Sequence, residues 1–188
     1  MPTDVATTDV TIRPARPEDA GAVAALHTAN WQDAYRGLMP DAYLDGPLAG
    51  DMQAAWAEKF AHMAAGGSAI LLAEQGEPGQ GGQMLGFIRI VANADPQWGH
   101  YIDNLHVAAS TRGMGLGRKL FDAGLAWAKA RDGRPDRGQG AYLFVYADNT
   151  AARAAYARWQ GREVEEFLDD APHGGTLPAV RVAWDRVR

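Results

Sequence analysis

IDNLHVAASTRGMGLGRKL, residues 102–120, changes character twice within nineteen positions. An extended run closes at Val107. After a short turn, Arg112-Gly113-Met114-Gly115-Leu116-Gly117 runs directly into a helical pattern. Glycines at such a turn let the backbone approach a ligand without Cβ contacts. The free N–H groups of the helix's first turn point out of its end, and the macrodipole makes that end positive. Together these features describe an anion site suited to a pyrophosphate. Arg112, Arg118 and Lys119 add positive charge locally, in a chain whose formal net charge is -5.

Working outward, three readings of the loop stay open on the residues alone. A Walker-type nucleotide loop requires Gly-Lys followed by Ser or Thr, whereas Gly117 precedes Arg118-Lys119-Leu120. A dinucleotide fingerprint requires G-x-G-x-x-G near the first strand of a domain; here the third glycine, Gly117, falls one place early and the loop lies mid-chain. A plain glycine-rich turn into a helix is the third reading.

The flanking pattern mixes strands and helices. Val10–Arg13 reads as a strand stopped by Pro14. A helix opens at Pro17-Glu18-Asp19 with an apolar stripe of Ala22, Val23, Leu26 and Ala29. Residues 31–47 are aromatic and broken by Gly37, Pro40, Gly46 and Pro47, and 51–65 reads as a second helix. Strands are expected at 68–74 and 84–91, joined by a Gly/Gln-rich hairpin loop, and at 98–107. Residues 114–131 form a helix with Leu116, Leu120, Ala123, Trp127 and Ala130 on one face. After a polar loop at 132–140, residues 141–147 are apolar on both faces and read as a buried central strand. A short helix at 151–159 follows, then strands at 164–168 and 180–184 about a turn at 172–178. Hairpins alternating with helical crossovers predict an α/β fold with a mixed sheet and helices on its faces. Residues 1–9 read as a disordered tail and 10–188 as a single domain.

A second constellation follows the strand at 141–147. Asn149 and Tyr156 are seven residues apart, almost two helical turns, and so share a face with the small Ala152 between them. The line offers a polar group, a gap and a phenol in register. A capping Asn and an amphipathic core Tyr would fit the same pattern.

These two features together resemble the GNAT N-acetyltransferases. Their signature, (Q/R)-x-x-G-x-(G/A) between a central strand and a long helix, is Arg112-x-x-Gly115-x-Gly117 here, and the order of elements from Ile12 to Trp184 is similar to the family's. The resemblance implies a central, mostly antiparallel twisted sheet of about seven strands with about four helices and a splayed pair of central strands. It implies that the loop from Arg112 through Gly113, Met114, Gly115, Leu116 and Gly117 to Arg118 binds the pyrophosphate of acetyl-CoA. It also implies that the strand at Leu105, His106 and Val107, often bulged, pairs with the pantetheine arm. Asn149 would contact that arm beside Ala152, and Tyr156 would lie near the thioester sulfur. One departure from the family is Gln160, four residues after the tyrosine, where many members have glycine.

The implied reaction moves an acetyl group from acetyl-CoA directly to an amine of a small molecule or peptide. Asp103 is the expected base: a regular strand would put it on the face of Leu105 and Val107, and several related enzymes carry an acid near this place. His106 and His100 are alternatives because histidine titrates in the right range. The stretch at 31–40 would shape the acceptor pocket, with Trp31 and Tyr35 against an apolar or cationic group and Arg36 against a carboxylate. A non-catalytic acyl-CoA sensor on the same fold is the competing reading.

Composition narrows the field. The absence of cysteine excludes a disulfide scaffold, a thiolate metal site and a cysteine nucleophile. The histidines show no i,i+4 pair, so no metal site is expected. The mild acidity argues against a nucleic-acid partner and slightly favours a cationic acceptor. No stretch approaches the ~18 apolar residues of a membrane span, and a cytoplasmic monomer or homodimer is expected.

Overall fold

The computed structural model describes residues 10–63, 66–76, 82–131 and 140–185. The expected tail at 1–9, most of the hairpin loop at 77–81, the loop at 132–139 and the last residues of the 51–65 helix lie outside them.

One seven-stranded sheet carries the molecule, in the order β1-β2-β3-β4-β5-β7-β6. Its strands are β1 (Val10–Pro14), β2 (Ser68–Gln75), β3 (Gln83–Asp95), β4 (Gly99–Val107), β5 (Ala141–Tyr146), β6 (Arg162–Asp170) and β7 (Thr176–Trp184). The strand β1 and the hairpin of β2 and β3 lead antiparallel into β4, and β5, β7 and β6 continue antiparallel on the other side. The two halves meet at β4 and β5, which run parallel. A parallel pair requires a crossover, and helix α4 (Leu116–Lys129) supplies it. The other helices are α1 (Ala20–Ala34), the single turn α2 (Asp41–Leu44), α3 (Leu48–Met63) and α5 (Thr150–Arg158).

Two cores sit on opposite faces of the sheet. On one, α4 buries Leu116, Leu120, Phe121, Leu125 and Ala128 against Ile88, Ile90, Ile102, Leu143 and Val182, and Tyr156 and Trp159 from the α5 segment pack alongside. On the other, α1 and α3 bury Val23, Leu48, Trp56 and Phe60 against Ile70, Leu72 and Phe87. Each large side chain withdrawn this way contributes about 1.5–3 kcal/mol, so these faces fix the helices. The pattern along α4 is set by i,i+4 rows through 116, 120, 124 and 128; Ala130, expected on that face, is exposed. Gly124 lets α4 come close to β3, since a Cβ there would meet Ile88 Cδ1 at 2.8 Å.

Three departures from the sequence reading bear on function. The buried residues of α1 are Val23, Ala24, His27 and Asn30, while Ala22 and Ala29 face solvent. Strand β5 is only partly covered on its second face: Tyr142 is buried there but Phe144 is 37% exposed, because α1–α3 lie mainly over the β1–β4 half of the sheet. The turn before β7 is shorter than expected, since β6 and β7 extend to Asp170 and from Thr176.

Candidate active site

The break between the two halves of the sheet is the centre of the site. Parallel pairing of β4 with β5 consists of His100 with Ala141 and Tyr101 with Tyr142. Beyond those rungs β4 continues to Val107 and β5 to Tyr146 without pairing. The gap opens into a cleft of about 890 Å³ whose walls come from α1, β4, the 111–118 loop, β5, α5 and β6.

Strand β4 is bulged where it meets the cleft. Arg89 pairs with Asn104 and Ile90 with Ile102, leaving Asp103 as the extra residue. A bulge re-aims side chains. Leu105 and Val107 pack into the core beneath α4, whereas Asp103 turns to the α3 face and meets Lys59 and Arg89. Asp103 therefore does not share the face of Leu105 and Val107, as a regular strand would require. Ala108 N donates to Leu85 O at 2.7 Å. By antiparallel alternation, Leu105 and Val107 then turn their backbone groups away from β3 and toward the gap. Val107 O is there met by Asn30 Nδ2 at 3.0 Å.

The loop beyond β4 is built for close approach. Gly113 and Gly115 have φ of +81° and +78°, and a Cβ at either position would meet nothing within 4 Å. Their space faces outward, and their backbone conformation suits glycine. Gly115 caps α4, and Lys119 N returns to its carbonyl at 3.1 Å. The N–H groups of Leu116, Gly117 and Arg118, the preceding first-turn donors, have no acceptor among the described residues. They are aligned with the helix dipole at the mouth of the gap, which is where an anion is stabilised. Arg118 lines the cleft and is held by Asp122 at 2.9 Å. Arg112 is tied to Asp33 and reaches Asn30 Oδ1 at 3.1 Å. Met114 is 71% exposed and does not line the cleft.

Across the gap, Asn149, Ala152 and Tyr156 all line the wall. Asn149 caps α5, its Oδ1 accepting from Ala152 N at 3.1 Å, while its Nδ2 reaches the Tyr35 hydroxyl at 3.4 Å. Capping and facing the cleft are thus compatible in one side chain. The Tyr156 ring packs on Trp159 and Trp184, centroids 5.7 Å and 6.0 Å away. Burial, and after it the nearby Tyr35 phenol, hold the Tyr156 phenol well above a phenol's ordinary value. It therefore keeps its proton at neutral pH and can only donate it.

Two histidines of the cleft wall, His106 and His27, are held neutral. His106 is pushed down to about 4 by burial first and then by Arg112, with Asp103 opposing. Asn30 is oriented by Arg112 on its Oδ1, so its Nδ2 points at His106 Nδ1, 3.4 Å away, and engages that lone pair. His27 accepts from Trp56 Nε1 at 3.0 Å and is held far below its ordinary value, chiefly by burial. His100, fully buried off the cleft, accepts from Asn93 N at 3.1 Å. In each ring a donor occupies Nδ1, which argues against a base role for any of them.

On the acceptor side, Trp31 and Tyr35 line the cleft with rings 5.1 Å apart, and Tyr35 meets Tyr146 at 5.5 Å. Arg36 is not brought to the cleft: it turns outward to Asp41 and Asp45 at 3.1 Å and 2.8 Å. Side chains that sequence reasoning missed complete the wall: His27, Asn30, Tyr101, Phe144, Tyr146 and Asp169. A signal existed for two of them. His27 and Asn30 continue the helical spacing from Val23, and polar residues in an apolar stripe need buried partners.

The chain matches the model of the acetyltransferase (GNAT) family over residues 24–161, about three quarters of its length. It belongs to that family. A search among curated protein sequences returns no match. Solved structures share the fold at low identity. PaiA N-acetyltransferase from Thermoplasma acidophilum, in complex with coenzyme A, is 13% identical, with a TM-score of 0.65 over 91% of this chain and 98% of that one. YncA from Salmonella typhimurium, with its cofactor acetyl-CoA, is 15% identical, with a TM-score of 0.62 over 96% and 95%. NAA60 from Arabidopsis thaliana, with a bisubstrate analogue, is 19% identical, with a TM-score of 0.63 over 94% and 97%.

Proposed function

We propose that the protein transfers an acetyl group from acetyl-CoA directly to a primary amine, with residues 10–188 acting as one catalytic unit in the cytoplasm. The observation that carries this reading is the meeting of three features at one gap. First-turn amides of α4 without an acceptor among the described residues lie at its mouth, β4 backbone not paired to β5 lies along its side, and the Tyr156 phenol lies opposite. The coenzyme fits these residues. The N–H groups of Leu116, Gly117 and Arg118 would hold its pyrophosphate, and Leu105, Val107 and Asn149 its pantetheine amides. When bound, the thioester supplies an activated acetyl carbonyl.

The protein's own groups account for the remaining chemistry. An alkylammonium has an ordinary pKa near ~10.4 and must lose a proton before it attacks. Asp103 is the carboxylate beside the gap on β4, and it receives that proton through a water. Its Oδ2 already takes Lys59, Arg89 and Asn104, so the carboxylate is also held in place. The new C–N bond forms as the C–S bond breaks. A backbone N–H of β4 near Val107 stabilises the charge that develops on the carbonyl oxygen. Tyr156 gives a proton to the departing sulfur and recovers one, through water, from the new amide nitrogen, which sheds the extra proton left by the attack. The absence of cysteine from the chain favours direct transfer over an acyl-enzyme.

The test couples binding to turnover. Acetyl-CoA is expected to raise the Tm, and an amine panel is expected to release free coenzyme A thiol steadily. Binding without thiol release across amines, amino acids and peptides would leave a coenzyme-binding module instead.

A further inference from the structure

The acceptor end of the cleft holds a carboxylate that the transfer chemistry does not use. Four aspartates line the wall. Asp33 is held by Arg112, and Asp103 by Lys59 and Arg89. Asp148 sits exposed on the loop before α5. Asp169, on β6, is half-buried and makes no hydrogen bond or ion pair among the described residues.

Aromatic rings frame it. Tyr146 on β5 and Phe167 on β6 both pair with the small Ala179 of β7, one on each side, so all three share a sheet face. Asp169 follows Phe167 by two residues and projects from that same face. Phe167 packs on Phe144 at 5.1 Å, and Phe144 on Tyr101 at 5.5 Å. The C-terminal end of α1 reaches this part of the sheet at Tyr146, where Trp31 and Tyr35 pack, while Phe144 stays 37% exposed. The negative charge of Asp169 reaches the rings on both sides, contributing to the raised pKa of Tyr101 and of Tyr146, although burial is the larger cause in each. Lys59 and Arg89 lie behind Asp103 and do not line the cleft, and Arg181, whose guanidinium lies over the Phe144 ring at 5.2 Å, is paired with Glu165 at 3.0 Å and does not line it either.

We propose that this end is a subsite for a second positive charge, and that the acceptor is a small alkyl diamine. One ammonium rests against Asp169 and the rings of Tyr146 and Tyr101. The other amine reaches Asp103 and the thioester. An unpaired carboxylate beside aromatic faces is what a desolvated ammonium requires, and the chain's formal net charge of -5 draws cations toward it. The assignment rests on the acetyltransferase reading for the transfer step, but not for the binding step.

The experiment uses three acceptors of matched length: 1,4-diaminobutane, n-butylamine and 4-aminobutanoate. The expected kcat/KM order is diamine, then monoamine, then amino acid, with the diamine ahead of the monoamine by about tenfold. Asp169→Asn is expected to collapse that ratio toward one, and Asp169→Glu to restore part of it. Calorimetry of 1,4-diaminobutane into coenzyme-A-loaded protein gives a readout independent of turnover. Diamine binding by the parent that Asp169→Asn loses upholds the subsite even if no amine is acetylated. Equal kcat/KM for diamine and monoamine in the parent overturns the subsite while leaving the transferase intact. So does a ratio unchanged by Asp169→Asn.

Discussion

The two ends of the cleft are made of different material. At the proposed coenzyme end the groups offered to the cleft are backbone: the amides of Leu116, Gly117 and Arg118, and the turned-out strand at Leu105 and Val107. At the acceptor end they are side chains: Tyr35, Tyr146, Tyr101, Phe144, Asp103 and Asp169. Backbone amides carry no titratable group and depend on chain geometry, so this end responds to conformation. The other end depends on ring faces and carboxylates, so it responds to charge and pH. Tyr156 stands between them, where the proposed transfer would need its proton donor.

The largest effect is expected at that junction. Tyr156→Phe should lower kcat by about 10²–10⁴-fold, the usual worth of a general acid, while the Kd for acetyl-CoA stays close to the parent's. The raised pKa of Tyr156 adds a sign. The phenol keeps its proton beyond the ordinary value near ~10, so its ionisation should not cause an alkaline fall in kcat between pH 8 and about 10. Equal kcat for mutant and parent across that range would remove the tyrosine from the mechanism and leave the cleft without its proton donor.

The next contrast is acid sensitivity. His106 titrates near 6.5 in the unfolded chain and at about 4 in the folded one. The unfolded state therefore binds more protons between those values, and stability is lost as pH falls through the window. The contribution is on the order of 3 kcal/mol. His27, depressed further, acts in the same direction. The Tm should drop from pH 6.5 to 4, and His106→Gln should make the drop shallower. A variant with the parent's slope would show that the histidine wall does not titrate on unfolding.

How much of each end was legible follows from the same difference in material. Glycines at fixed spacing after a strand can be read from sequence because the backbone conformation they permit is local. Gly113 and Gly115 adopt it, with φ near +80°. Asn149 with Tyr156 was legible because helical phase is local too. The face of Asp103 could be read only for a regular strand; one extra residue in β4 reverses the alternation, and composition does not say where a bulge falls. Asp169 was invisible. It reaches the cleft only because β6 returns beside β7, which returns beside β5, an arrangement set by long-range pairing. Phe144 looked like core because a strand apolar on both faces normally is, and nothing local says that the covering helices lie mainly over the β1–β4 half.

A smaller effect tests the coenzyme end directly. Alanine at Gly115 must adopt a φ of +78°, which costs a non-glycine residue about 1–2 kcal/mol. The loop can relieve that strain only by turning its amides away. Gly115→Ala should raise the Kd for acetyl-CoA about tenfold, the equivalent of 1.4 kcal/mol, with the KM for the acceptor unchanged. A loss confined to the acceptor would mean that the ends are coupled through α4.

The smallest effect belongs to Arg36, and it separates a residue near the site in sequence from one in the site. The guanidinium lies outside the cleft, 44% exposed, with its two aspartate partners at 69% and 58%. Exposed pairs of this kind are screened and worth little. Arg36→Met should therefore change kcat/KM for every acceptor by less than about twofold, carboxylate-bearing ones included, and barely shift the Tm. A selective loss for carboxylate acceptors would instead require α1's C-terminus to swing Arg36 inward when substrate binds. That would make the acceptor end a closing wall, and Asp169 would then face a cation supplied by the protein itself.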